Sequence, residues 1–143
     1  MPTKCLYDED FVEWTKSAAE ALREGRLDQA DLALVAMEIE DMGKRDQRSA
    51  ENNMRVLLQH LLKWRFQSER RSSSWKRSII EHRRRLELLF RDSPSLRGTV
   101  NGEMEGIYRK AVRDARLETG LASFPERCPW SVNEILDSEF FLD

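Results

Sequence analysis

Apolar positions recur along this chain at steps of three and four, and no stretch alternates long enough to read as a strand. Phe11, Trp14, Thr15, Ala18 and Leu22 predict a first amphipathic helix. Asp8 offers its N-cap, Tyr7 and Val12 suit a hydrophobic staple around that cap, and Gly25 supplies the stop. A second start is marked by Asp28, with Leu27 before it, Leu32 at the staple position and Asp31 as a negative charge in the first turn. Leu32, Val35, Ala36 and Ile39 form one stripe. A polar stretch, GKRDQRSAENN, then opens at Gly43, and the stripe resumes at Met54, Leu57, Leu58, Leu61 and Leu62. The pattern over 28–66 fits either two helices or one long helix kinked near Gly43.

Trp75, Ile79, His82, Leu86 and Leu89 predict the next helix after a serine-rich corner. Ser93 and Pro94 suit the cap and first position of another, built on Val100, Met104, Ile107, Tyr108, Ala111 and Ala115 and stopped near Gly120. Gly98, Gly102 and Gly106 weaken that helix rather than carve a groove for a partner. FPERCPW holds two prolines and reads as a loop. Ser131 and Glu134 then form a capping box, with Trp130 and Ile135 as staple, for a last short helix running toward Phe140, Phe141 and Leu142. The expected fold is all-α: a single-domain bundle of about five helices over 1–143, with its core in 8–120 and a loop-rich tail with a short helix in 121–143.

Composition narrows the class. With 40% apolar and 35% charged residues in 143, the chain is apolar enough for a core, and no apolar run is long enough to cross a membrane. The acidic N-terminal region lacks a signal-peptide core, so a cytoplasmic location is expected. Cys5 and Cys128 stand alone, which argues against a zinc site and for two reduced thiols, a disulfide between them being the lesser reading. Charge is unevenly placed. Residues 1–62 carry 8 basic and 13 acidic side chains, 63–91 carry 10 and 3, and 92–143 carry 6 and 10. A basic middle between acidic flanks either binds an external anion or neutralises the chain's own acids on folding.

Taken together, YDEDFVEW (7–14), LREGRLDQADL (22–32), EIEDMG (38–43), HLLKWRFQ (60–67), RRSSSW (70–75), SPSLR (93–97) and FPERCPW (124–130) resemble the bacterial domain of unknown function family 29. The resemblance implies an all-helical fold of bacterial origin and carries no activity or catalytic residue with it. The chain departs from the family pattern in two places. Met37 and Glu38 stand where two acids are common, and His82 stands where glutamine is common.

Four constellations could carry chemistry. The corner groups Arg70, Arg71, Ser73, Ser74, Lys76 and Arg77 at a helix start, where cations oppose the helix dipole and free amides favour a phosphate or a partner's carboxylate. The competing account is that the chain's own Glu38, Glu40 and Asp41 fill that role. Glu38 and Asp41 share a helix face, as do carboxylates that hold magnesium in all-α nucleotide pyrophosphohydrolases, but the next helix supplies only Glu51 as a second acid. His60 and His82 lack the Glu-x-x-His spacing of a di-iron bundle, and His60 with Trp64 suits a structural pair. HRRRLELLFR is a basic amphipathic stretch, yet a pI of 5.8 and the lack of helix-turn-helix spacing disfavour nucleic acid. No cofactor or metal is expected, Glu38, Asp41 and His60 being only weak metal candidates. The expected role is a non-enzymatic protein-interaction or regulatory module with a protein partner. A homo-oligomer is compatible with the apolar tail. The alternatives are a magnesium-dependent nucleotide pyrophosphohydrolase and a nucleic-acid binder acting through 63–91.

Overall fold

Helix signals dominate the sequence, and helices dominate the computed structural model, which describes residues 3–140, with side chains from Leu6 onward. Seven α-helices follow one another: α1 (Thr3–Glu9), α2 (Phe11–Arg23), α3 (Gln29–Phe66), α4 (Ser73–Asp92), α5 (Ser95–Gly102), α6 (Met104–Thr119) and α7 (Val132–Leu136), with a 3-10 turn at Ser68–Arg70. The described residues contain no strand. The all-α class therefore holds, with more helices than the periodicity suggests.

Local chemistry accounts for most of the boundaries. Asp10, not Asp8, caps α2, its carboxylate accepting from the Glu13 amide at 3.1 Å. Asp8 lies inside α1, and Val12 is 61% exposed, so the expected staple is not made. Gly25 has φ +70, and the amides of Gly25 and Arg26 donate to the carbonyls of Leu22 and Ala21. That pair of bonds is a Schellman stop, which needs a left-handed residue and so favours glycine. Asp28 caps α3 through the Asp31 amide at 2.8 Å. The helix then runs unbroken through Gly43 to Phe66, which settles the choice between two helices and one.

Further along, Ser93 offers no side-chain cap, and Pro94 itself occupies the cap position of α5. The one helix expected there is two. It breaks at Gly102 and Glu103, whose amide donates to the carbonyls of Thr99 and Val100. A Cβ added at Gly98, Gly102 or Gly106 would meet nothing within 4 Å, so the glycine repeat seats no neighbouring helix. Ser131 and Glu134 form the expected capping box, but α7 ends at Leu136, earlier than predicted. Phe141 and Leu142 lie outside the described residues, as does the side chain of Cys5.

The contacts divide the chain into two compact units, Met1–Arg45 and Asp46–Asp143. In the first, Trp14 and Ala18 are buried, and Tyr7, Phe11 and Trp14 form an aromatic cluster with centroids 4.9–5.8 Å apart. In the second, the core joins Met54, Leu57, Leu58, Leu61 and Leu62 of α3 to Ile79 and Leu86 of α4, Val100 of α5, Tyr108 and Ala111 of α6, and Ile135 of α7. Phe124 and Val132 belong to the same core, so the tail is an integral layer of this unit.

Candidate interaction surfaces

The serine corner begins where α3 ends. Ser72 caps α4, its hydroxyl accepting from the Trp75 amide at 3.1 Å. Ser73 and Ser74 are then the first two helical residues, and both are exposed. Lys76 and Arg77 fall at the fourth and fifth positions, later than the first turn expected for them, and the Lys76 amide already joins the helical ladder to Ser72. Arg71 is engaged within the chain. Its Nε donates to the Trp64 carbonyl at 2.9 Å, closing the end of α3, and its guanidinium lies 4.8 Å from the Trp64 ring centroid. Arg70, Lys76 and Arg77 are exposed and pair with no acid among the described residues.

The rest of the basic segment is largely committed internally. Lys63, 4% exposed, pairs with Glu118 of α6 and sits 4.8 Å from the Trp75 ring centroid. Arg84 and Arg85 both bond Glu81, which pulls that carboxyl down to about 2. Arg83 is 3% exposed. Its Nε donates to the Ile135 carbonyl at 2.7 Å and its Nη2 to the Phe140 carbonyl at 2.8 Å, so it fastens the end of α7 and the tail onto α4. Periodicity places Arg83 beside the stripe rather than in the core, and sequence alone gave no sign of this role. Of the arginines in HRRRLELLFR, Arg83 is thus taken into the fold, while Arg84 and Arg85 stay exposed and pair with Glu81 on the same helix.

The acidic motif is also held locally. Glu38 accepts from the Tyr7 hydroxyl and lies 3.9 Å from Arg45. The bond to Glu38, followed by burial, pushes the Tyr7 phenol up and keeps it a donor. Asp41 lies near enough to add to that rise, and both acids are half-buried. No group of three or more histidine, cysteine or acidic side chains able to hold a metal occurs among the described residues.

The histidines meet each other, not Trp64. His60 of α3 and His82 of α4 stack with centroids 6.4 Å apart and planes 16° from parallel. Each Nδ1 faces the carbonyl of its own helix one turn back, Val56 at 2.9 Å and Ser78 at 2.7 Å. A proton on Nδ1 satisfies both contacts. Burial pushes the His60 imidazole down, the Val56 carbonyl opposes this, and Lys63 and His82 add to it. Cys128 donates to the Trp130 carbonyl at 3.3 Å, and burial pushes its thiol up, which makes it a poor nucleophile. It borders a groove of about 580 Å³ between Tyr108 and Arg109 of α6 and Glu126 of the following loop.

The first unit presents a different surface. Phe11, Val12, Leu22, Leu32, Met37, Ile39 and Met42 are all exposed, Ile39 by 59% and Met42 by 53%. The half-buried positions of this part of α3 are Asp31, Leu34, Val35, Glu38 and Asp41. The expected stripe Leu32–Val35–Ala36–Ile39 therefore exists as a helix face, but only Val35, at its edge, is partly covered. The bond from Tyr7 to Glu38 orients the adjoining face of α3, with its acids, inward.

The chain falls in a family defined by sequence and not by chemistry. The family profile matches residues 6–141, and the chain is a member of the domain of unknown function family DUF29. No curated protein and no solved structure matches it. No helix among the described residues is long and apolar enough to cross a membrane.

Proposed function

We propose that this protein works by binding another protein. One observation carries the reading. Of the ten large apolar side chains exposed among the described residues, seven lie between Phe11 and Met42. Scattered apolar exposure is ordinary on a folded surface, whereas its concentration on one small unit marks a contact face. The exposed cations Arg70, Lys76 and Arg77 of the second unit support a further, polar contact of the same kind.

Capture from the source cells tests this. The full chain should retain a stoichiometric protein that is lost with Ile39→Lys and weakened by Arg70→Glu/Arg77→Glu, each variant checked for helix content. Arg71 is left intact because its bond to Trp64 makes it structural. Turnover of a nucleoside triphosphate with magnesium, abolished by Glu38→Gln, would overturn the reading in favour of an enzyme.

A further inference from the structure

The open face of α3 has a register that specifies its occupant. At about 100° per residue, Leu32, Ala36, Ile39 and Gly43 fall within a band about 60° wide, with Val35 and Met42 along one edge. Their steps of four, three and four are those of a helix-pairing seam. Large and small residues alternate along it: Leu32 then Ala36, Ile39 then Gly43. A Cβ at Gly43 would meet nothing within 4 Å, so this small position of the face is open. Such a seam takes the side chains of an approaching helix as knobs.

Charge selects among helices. Glu40 flanks the seam within about 70° of its centre, and Asp28, the acidic cap of the helix, precedes it. The cations of this segment, Lys44 and Arg45, lie about 110° or more away, and Arg45 is turned toward Glu38. Residues 1–45 as a whole carry 6 basic and 11 acidic side chains. A two-fold pairing of this face with its own copy would set acidic margins against acidic margins, which like-charge repulsion disfavours. A helix with an apolar stripe between lysines or arginines meets both demands, burying the seam and neutralising its borders.

We infer that the Leu32–Ala36–Ile39–Gly43 seam of α3 receives a basic amphipathic helix of a partner protein. This rests on the reading that the protein binds another protein, and deepens it by naming the partner's chemistry. The probe is a labelled synthetic helical peptide of leucine and lysine, compared with a leucine and glutamate peptide of the same pattern. Each is titrated into the full chain by fluorescence anisotropy. The lysine peptide should bind one to one, at least about tenfold tighter than the glutamate peptide, and more weakly as salt rises. Ile39→Lys and, separately, Ala36→Lys should each weaken it at least about tenfold. Leu117→Lys, at an 81% exposed site of α6, should leave it unchanged. Equal binding of the two peptides, no binding, or indifference to both seam variants overturns the inference. So does a concentration-dependent dimer of the protein alone that Ile39→Lys abolishes, because a second copy then owns the seam. If a cellular partner is captured and lost with Ile39→Lys while the lysine peptide fails, the protein-binding reading stands and the basic-helix inference falls.

Discussion

Arg83 stands in a run of three arginines that looks like solvent-facing charge, yet it is the one that the core encloses. Its two bonds to the Ile135 and Phe140 carbonyls are charge-assisted, each of a kind that contributes about 1.5–3 kcal/mol. Arg83→Met should cost about 2–4 kcal/mol in urea unfolding and raise amide exchange in α7. Arg83→Lys should recover less than half of the loss, because one ammonium cannot replace the fork that spans two carbonyls. Unchanged exchange at Val132–Leu136 would show that the tail is held by packing alone. His60 makes a second prediction, on pH. Its folded imidazole titrates below the unfolded value of 6.5, so in the window under 6.5 the unfolded chain binds a proton that the folded chain does not. Stability should therefore fall as pH drops from 7 into that window, and the fall should be smaller in His60→Gln. Thermal melts at pH 7 and 5.5 check this, and equal falls in parent and variant would remove His60 as the cause. Glu81 does not confuse the comparison, because its contribution is lost only below about its unfolded value of 4.5. Neither role was legible in the sequence. Spacing within one helix cannot show that His60 and His82, on different helices, stack, or that a carbonyl from residue 135 reaches residue 83.

At the scale of elements, signals confined to a few neighbouring residues translated well. Asp28, Gly25, Gly120 and the Ser131–Glu134 box act where the pattern places them, because a cap joins residues only three to five apart. Among Asp8, Glu9 and Asp10 the same reasoning had several acids to choose from and no local means to rank them. At the corner three consecutive serines are equivalent cap candidates by residue type, and the bond from the Trp75 amide to Ser72 makes a sharp test of which one serves. Ser72→Ala should destabilise α4 by about 1 kcal/mol, while Ser73→Ala should stay within about 0.5 kcal/mol. Chemical denaturation of both variants decides it, and equal losses would move the cap. Gly43 gives a test of opposite sign. It lies inside α3 with open space at its Cβ, so Gly43→Ala should stabilise the protein by about 0.5–1 kcal/mol through helix propensity. A loss of stability would mean that the backbone there is not ordinary helix. The stripe of Leu32, Val35, Ala36 and Ile39 is a helix face, as its spacing indicates, but a largely exposed one. Periodicity reports that a helix has an apolar side, and whether that side is covered depends on elements the helix does not contain.

For the whole molecule, the polar stretch that opens at Gly43 acquires a meaning that helix periodicity alone did not give it. The boundary between the two compact units falls at Arg45 and Asp46, inside that stretch and inside one continuous helix. The interruption of the apolar pattern thus marks a change of core and not a break in the backbone. The two cores are unequal. Among the described residues, only Trp14 and Ala18 are buried in the first unit, against a cluster of twenty buried apolar residues in the second. Free energies of local opening follow the apolar area each region removes from water, at about 25 cal/mol per Å². Amides of α2 near Trp14 and Ala18 should therefore exchange through openings at least about 2 kcal/mol easier than those of Leu57–Leu62, a difference of about thirtyfold in protection. Native-state hydrogen exchange resolves this residue by residue. Leu58→Ala, which empties the larger core and should cost about 2–5 kcal/mol, should lower protection in the second unit without an equal drop at Trp14. Matching protection in both units, falling together in Leu58→Ala, would mean that they open as one. If the thinner unit does open alone, ligation has the most to add there. A helix docked on the seam binds only its folded form, and the added protection at 28–43 would rise with peptide concentration as mass action requires.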